Sequence, residues 1–263
     1  MKFENISVMN FQNALRGMRN PKESWKLSDT ETLIVKNDKI DKILKFGKLE
    51  NISSDIQVPN DFKLVNTYTS IDKNNILQYI KIGPNDMKLA KTLIKSGSVH
   101  RKFLRQIFVS VDITAPKYWW NEYATYKIGT TENSTSTMHK LASTSITKNC
   151  FEMDDYEQSE ENDQYWNYVI DECEKLRIKY NETKNKKYWK ELIRRLPDSW
   201  LQKRTCTLNY ETLLNICKKD CRRNHKLNEW SGKDDDNLPN FIDFVKSLPY
   251  ANEFIFYDIE SEK

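Results

Sequence analysis

Glycine and proline are scarce, with 6 and 7 among 263 residues. Little of the chain can therefore be tight turn or extended spacer, and each occurrence is a landmark. Long apolar runs are also missing. No stretch approaches the roughly 18 consecutive apolar residues that mark a membrane-spanning helix. Met1 to Asn10 mixes charged, polar and apolar residues and lacks the apolar core of an export signal. The expectation is a cytoplasmic protein with no membrane partner. The five cysteines, Cys150, Cys173, Cys206, Cys217 and Cys221, are odd in number and irregular in spacing, which excludes a secreted disulfide framework and predicts free thiols.

Histidine is rarer still, limited to His100, His139 and His225. Cys217, Cys221 and His225 are spaced by four and could line one helix face. They lack a fourth ligand and a paired CxxC, so buried packing is the favoured reading and no metal is expected. There is no GxGxxG, no Walker loop, no nucleophile elbow and no HExxH. Nucleophilic catalysis therefore has no local signature. An excess of one charge is absent too, with 42 basic against 38 acidic residues and a net charge of +4. Lys184 to Arg204 interleaves Tyr188, Trp189 and Trp200 with basic residues, a mixture that suits single-strand stacking. The acidic run Glu152 to Asp163 and the small net charge argue against a nucleic-acid partner. With Lys218 to Arg223 as a second basic run, the plain reading of these runs is two solvated faces; the sharper one is basic residues gathering round a phosphate-bearing ligand.

What the chain does have is aromatic residues, at 12 %, within 38 % hydrophobic residues. That is enough to fold most of it. No repeat or strong linker divides it, so residues 1–263 read as one domain, with 1–80 as an N-terminal extension. Phe11 to Met18 is amphipathic and ends before Pro21. Thr32 to Val35 and Ile40 to Phe46 read as strands or short helices, and Ser53 to Asn60 as a loop. Gly83-Pro84-Asn85-Asp86 is a turn in which Asp86 would cap a helix from Met87 to Ser96, stopped by Gly97. Arg105 to Thr114 alternates, with Ile107, Val109, Val111 and Ile113 on one side, and predicts a strand. Pro116 would open an aromatic helix, Lys117 to Tyr126, ended by Gly129. Thr130 to Thr137 is small and polar and reads as a loop.

Gln158 to Tyr180 predicts a long amphipathic helix with Trp166, Val169, Ile170, Cys173 and Leu176 on one stripe. Further helices are expected at Tyr188 to Arg195, Asn209 to Lys219 and Pro239 to Leu248, and a short strand at Arg204 to Leu208. His100, Arg101, Lys102 and Arg105 could hold a phosphate or form the solvated mouth of the strand.

The succession from Ile107 to Thr137 resembles the signature region of flavin-dependent thymidylate synthases. In that family a strand leads into an aromatic helix ending in Arg-His-Arg, and a loop then carries an Asn-Glu pair, a Ser and an Arg. Here the triplet falls on Thr125-Tyr126-Lys127, the pair on Glu132-Asn133, and the Ser and Arg on Thr135 and Thr137. A second region agrees. Leu196-Pro197 is followed by Asn209, Asn215, His225 after a one-residue shift, and Glu229. The departures are chemical, since a guanidinium binds phosphate through a planar fork that Thr and Lys do not reproduce. The Arg of the C-terminal helix falls on Asp220, and a pyrimidine-contacting Gln falls on Glu122.

The resemblance implies an α/β (α+β) fold with a central, mostly antiparallel sheet and helices packed on it. It implies methyl transfer to C5 of dUMP or a related pyrimidine deoxynucleotide. Methylene-tetrahydrofolate would supply the carbon, reduced FAD the hydride, and NADPH would be a co-substrate. It also implies a homotetramer with sites shared between subunits. By the same resemblance, Thr125, Tyr126, Lys127, Asn209, Asn215 and His225 would hold the flavin. Glu122, Thr130, Asn133, Thr135, Thr137, Arg194 and Arg195 would face the nucleotide. An ionised Glu122 only accepts hydrogen bonds, which would suit an exocyclic amine, as on cytosine, better than a uracil carbonyl. The alternative is a relative that keeps the fold as a nucleotide- or partner-binding protein without the reaction.

Overall fold

The alternation at Arg105 to Thr114 forms the centre of the molecule. Val109, Val111, Ile113 and Ala115 are fully buried on one face of their strand, while Ser110, Asp112 and Thr114 turn to the partly open face. Period-two patterning thus decides which face meets the core. Each fully buried Val or Ile there contributes about 1.5–3 kcal/mol. A computed structural model describes residues 1–36, 39–45, 48–51, 57–69, 75–235 and 237–258. Its strands are β1 (Lys2–Met9), β2 (Glu31–Lys36), β3 (Lys39–Lys45), β4 (Lys48–Asn51), β5 (Lys63–Thr69), β6 (Asn75–Lys81), β7 (Phe108–Pro116), β8 (Thr130–Ser134) and β9 (Leu201–Asn209). The helices are α1 (Phe11–Met18), α2 (Pro84–Lys95), α3 (Lys117–Tyr123), α4 (Thr137–Lys140), α5 (Glu160–Thr183), α6 (Lys186–Arg195), α7 (Tyr210–Ile216), α8 (Asn228–Ser231), α9 (Phe241–Lys246) and α10 (Ala251–Phe254).

Two antiparallel sheets result. One runs in the order β1-β7-β9-β8, the other in the order β4-β3-β2-β6-β5. The main core draws on β1, α1, β7, α3, β9 and α7 to α10, so both ends of the chain meet in it. A second cluster, around Cys173, Leu192 and Leu196, joins α5 to α6. The mixed helix and antiparallel-sheet architecture is the one expected.

Several elements differ from the expectation for identifiable reasons. Thr130 to Thr137 is mostly strand, not loop. Thr130–Ser134 forms the edge strand β8, pairing Thr130 with Leu208 and Ser134 with Arg204. Its residues are largely exposed, so no apolar alternation marks it. β1 escaped notice because its alternation is broken: Asn5 takes a left-handed conformation (φ 52°) and the register shifts between Glu4 and Ser7. The aromatic helix stops at Tyr123, three residues early, and Pro116 belongs to the preceding strand. Pro239 lies outside its helix, whose cap is Asn240. Ser53 to Ile56 and Phe46 fall outside the described residues.

Asp86 does not cap α2. The side chain of Asp29 does so, accepting from the amides of Asn85 (2.8 Å) and Asp86 (3.0 Å). A Cβ at Gly83 would lie 2.3 Å from the Asp29 carboxyl carbon, so only glycine leaves room for that cap. Asp86 instead is fully buried. It accepts from Arg19 Nε (2.5 Å), Ser28 Oγ (2.7 Å), Thr30 N (3.1 Å) and Thr30 Oγ1 (2.5 Å). Arg19 completes its own bonding on the carbonyls of Ser24 and Leu27. A buried ion pair in which all three guanidinium nitrogens are bonded thereby fixes residues 24–30.

Candidate functional site

After α3 the chain turns through residues 124–129. Thr125 Oγ1 donates to the Glu122 carbonyl at 2.8 Å, and Gly129 reverses the chain at φ +74°. Here glycine is required twice over. Its φ is left-handed, and a Cβ would lie 2.5 Å from Asn209 Nδ2 and 2.7 Å from Thr212 Oγ1. Asn209 caps α7, its Oδ1 accepting from the Thr212 amide at 3.0 Å. Thr212 Oγ1 then donates to the Ile128 carbonyl at 3.1 Å. The turn is thus clamped against the start of α7.

Between them lies a cleft of about 270 Å³. It is lined by Thr125, Tyr126 and Lys127 from the turn and by Asn209 and Asn215 from α7 and its cap. These five, far apart in sequence, were expected together. Arg105, one of the basic residues expected to hold a phosphate, lines it as well, together with Ile128, Glu211 and Thr212, which were not anticipated. Ile128 is 91 % exposed at its mouth.

The charge balance of the cleft is positive. Glu211, with only 9 % of its side chain exposed, bonds Arg101 Nε at 3.0 Å and Arg105 Nε. Burial works against its charge, but the hydrogen bonds from the two arginines outweigh burial and hold the carboxyl below its ordinary range. Arg101 also donates to Asn215 Oδ1 at 3.3 Å. Lys127 is exposed and, among the described residues, has no carboxylate partner. The basic group around His100 is therefore partly internal: Arg101 and Arg105 position α7, and Arg105 also reaches the cleft.

Behind Tyr126 sits a second group. The Arg222 guanidinium lies 5.4 Å from the Tyr126 ring and 4.7 Å from the Trp230 ring. Its Nε donates to Tyr126 Oη at 2.7 Å, and its Nη1 bonds Glu122. His225 Nδ1 accepts from the Leu227 amide at 3.1 Å, so the proton sits on Nε2, which meets Glu122 Oε2 at 3.0 Å. Burial lowers the His225 pKa, with Glu122 pulling the other way, so the ring is neutral at pH 7. Burial pushes the Tyr126 phenol up to about 12, so it stays protonated. Arg222 belongs to the basic run Lys218 to Arg223, but its pairing was not anticipated, because Glu122 and Tyr126 lie about a hundred residues upstream.

The remaining expected residues go elsewhere. Glu122 and His225 face each other rather than lining the cleft. Thr130 Oγ1 bonds the Tyr126 carbonyl and closes the turn. Asn133 stands exposed on β8 opposite Thr205. Thr135 joins the sheet edge through its backbone, with its carbonyl accepting from Gln202 Nε2 at 2.8 Å. Thr137 opens α4. Arg194 and Arg195 bond Glu191 on their own helix, Arg195 also bonds Glu172, and neither lines the cleft. Cys217 and His225 do not share a helix face with Cys221, because α7 ends at Ile216. Among the described residues no group of three metal-ligating side chains forms.

No protein-family model matches the sequence, and no curated protein matches it. Solved structures do. A crystal structure of the flavin-dependent thymidylate synthase ThyX from Helicobacter pylori, complexed with FAD and dUMP, matches with a TM-score of 0.56 at 13 % identity, over 97 % of this chain and 99 % of that one. A second Helicobacter pylori ThyX structure with FAD and dUMP matches with a TM-score of 0.56 at 13 % identity, over 98 % of each chain. The likeness is one of fold along nearly the whole length.

Proposed function

We propose that this chain is a flavin-dependent thymidylate synthase-like protein whose cleft at Thr125–Ile128 takes part of FAD, in support of methyl transfer to C5 of a pyrimidine deoxynucleotide. The observation that carries this is the convergence of Thr125, Tyr126, Lys127, Asn209 and Asn215 on one positively balanced cleft. Those are five of the six positions to which the sequence resemblance assigns the flavin. The similar Helicobacter pylori structures, which hold FAD and dUMP, support the same reading.

The residues present fit a phosphate-bearing nucleotide. Lys127 offers an uncommitted ammonium, and Arg105 is half-exposed at the same opening. Asn209 Nδ2 and Thr125 supply neutral hydrogen bonds. About 270 Å³ lies just below the usual range for small-molecule clefts, so one chain holds only a portion of a dinucleotide. A second copy would complete the site, as the tetramer implied by the resemblance requires. When bound, the reduced flavin supplies a hydride; the protein binds, orients and keeps water out. Lys127 replaces a fork by a point charge, so phosphate is held less directionally than by arginine.

One observation favours the second reading, a relative that keeps the fold for nucleotide binding alone. Both Arg222 and His225 bond Glu122, so the side chain expected at the pyrimidine edge is already engaged within the chain.

Titration of the purified protein with FAD tests the site. The wild-type protein should take up FAD, and Lys127→Gln should weaken binding by roughly tenfold, the loss of one charge-assisted hydrogen bond. Equal affinity in the two proteins would remove Lys127 from the site, and no uptake by either would remove the flavin.

A further inference from the structure

A second cleft, of about 290 Å³, lies against the molecule's first helix. α1 forms one wall and residues 25–32 the other. Its lining includes Gln12, Asn13, Arg16, Trp25, Lys26 and Thr32, and it contains no carboxylate. Arg19, also at its edge, is neutralised by Asp86. Arg16 and Lys26 are different. Both are exposed, and among the described residues neither has a carboxylate partner. The cleft therefore carries two uncompensated positive charges.

Trp25 is the second observation. It opens a short 3-10 turn, Trp25–Leu27, and leaves 47 % of its surface exposed. Yet its position is fixed. The indole Nε1 donates to Asn20 Oδ1 at 2.9 Å. The segment that carries it is tied down by Arg19 on the carbonyls of Ser24 and Leu27, and by Asp86 on Ser28 and Thr30. A buried ion pair thus anchors the segment that brings an indole into the same cleft as two unpaired cations. Such pre-organised aromatic anchors lose little entropy on binding. Gln12 Oε1 already accepts from Gln78 and Asn13 Nδ2 already donates to Asn10, which leaves Gln12 Nε2 as a donor and Asn13 Oδ1 as an acceptor for a ligand.

We infer that this cleft is a separate ligand site, for a small molecule that joins a planar ring to a phosphate or carboxylate group. The ring stacks on Trp25 and the anion meets Arg16 and Lys26. Arg16 grips the anion with a planar fork, and Lys26 adds a point charge. Nothing in this site depends on the flavin cleft.

Calorimetric titration with adenosine monophosphate and with naphthoate tests it, read together with the indole N–H resonance of Trp25, which Trp25→Phe identifies by its disappearance. At least one of the two should bind and shift that resonance. Binding of adenosine monophosphate alone assigns a phosphate ligand; naphthoate alone assigns a carboxylate. Adenosine and inorganic phosphate, each lacking half of the required chemistry, should bind at least about tenfold more weakly. R16Q/K26Q and W25A should each lose at least about tenfold in affinity while melting like the wild type. The inference is overturned if neither probe binds. It is equally overturned if both variants bind as the wild type does, or if binding survives in R16Q/K26Q and is lost in K127Q.

Discussion

Asp86→Ala should lower the unfolding free energy by about 3–5 kcal/mol, one of the two largest effects of any single substitution considered. Asp86 is fully buried and Arg19 is nearly so. Removing the carboxylate strands the guanidinium in the interior and leaves the hydroxyls of Ser28 and Thr30 without their acceptor. For a chain of this size about 4 kcal/mol corresponds to a fall in Tm on the order of 10 °C. The double variant Arg19→Met/Asp86→Leu should lose less, because no uncompensated charge remains. Thermal melts of the three proteins check both statements. A single variant that melts within about 2 °C of the wild type would mean that water reaches Arg19 and solvates it.

Trp230→Ala should cost a similar amount, about 3–5 kcal/mol. Trp230 is fully buried, stacks on Trp119 with ring centroids 4.4 Å apart, and meets Phe241 edge-on at 5.1 Å. Its other face carries the Arg222 guanidinium. Truncation therefore opens a cavity in the core and removes the surface on which Arg222 rests beside Tyr126 and Glu122. Trp230→Phe should cost much less. It keeps a ring in the stack and deletes an indole Nε1 that has no hydrogen-bond partner where it is buried. Denaturant unfolding of both variants measures the difference. A Phe variant as unstable as the Ala variant would show that ring size, not stacking, holds the site.

How much of this was legible in the sequence follows from where the signals are local. β7 alternates strictly and was found within three residues at its N-terminal end. α5 was placed by its apolar stripe, and Asn209 by its position before a helix, where an amide side chain caps. The cleft was legible only through the resemblance, because its two halves are some eighty residues apart. β8 carries no apolar face to read. Glu211 looks like any acidic residue in a first helical turn until Arg101 and Arg105 are brought to it. The same is true of Asp86, which has the sequence signature of a helix cap and is used as a buried counter-charge. Pairings between distant charges leave no periodicity, and these are the features that reasoning from sequence missed.

Methyl transfer to C5 of a pyrimidine replaces the hydrogen there, so release of tritium from C5-tritiated dUMP is the most direct measurement. FAD-loaded protein supplied with methylene-tetrahydrofolate and NADPH should release tritium, and omission of FAD should abolish the release. C5-tritiated dCMP run in parallel would show which of the two bases is preferred. Protein that binds FAD at full occupancy and releases tritium from neither nucleotide would contradict methyl transfer and leave the fold in service of binding alone.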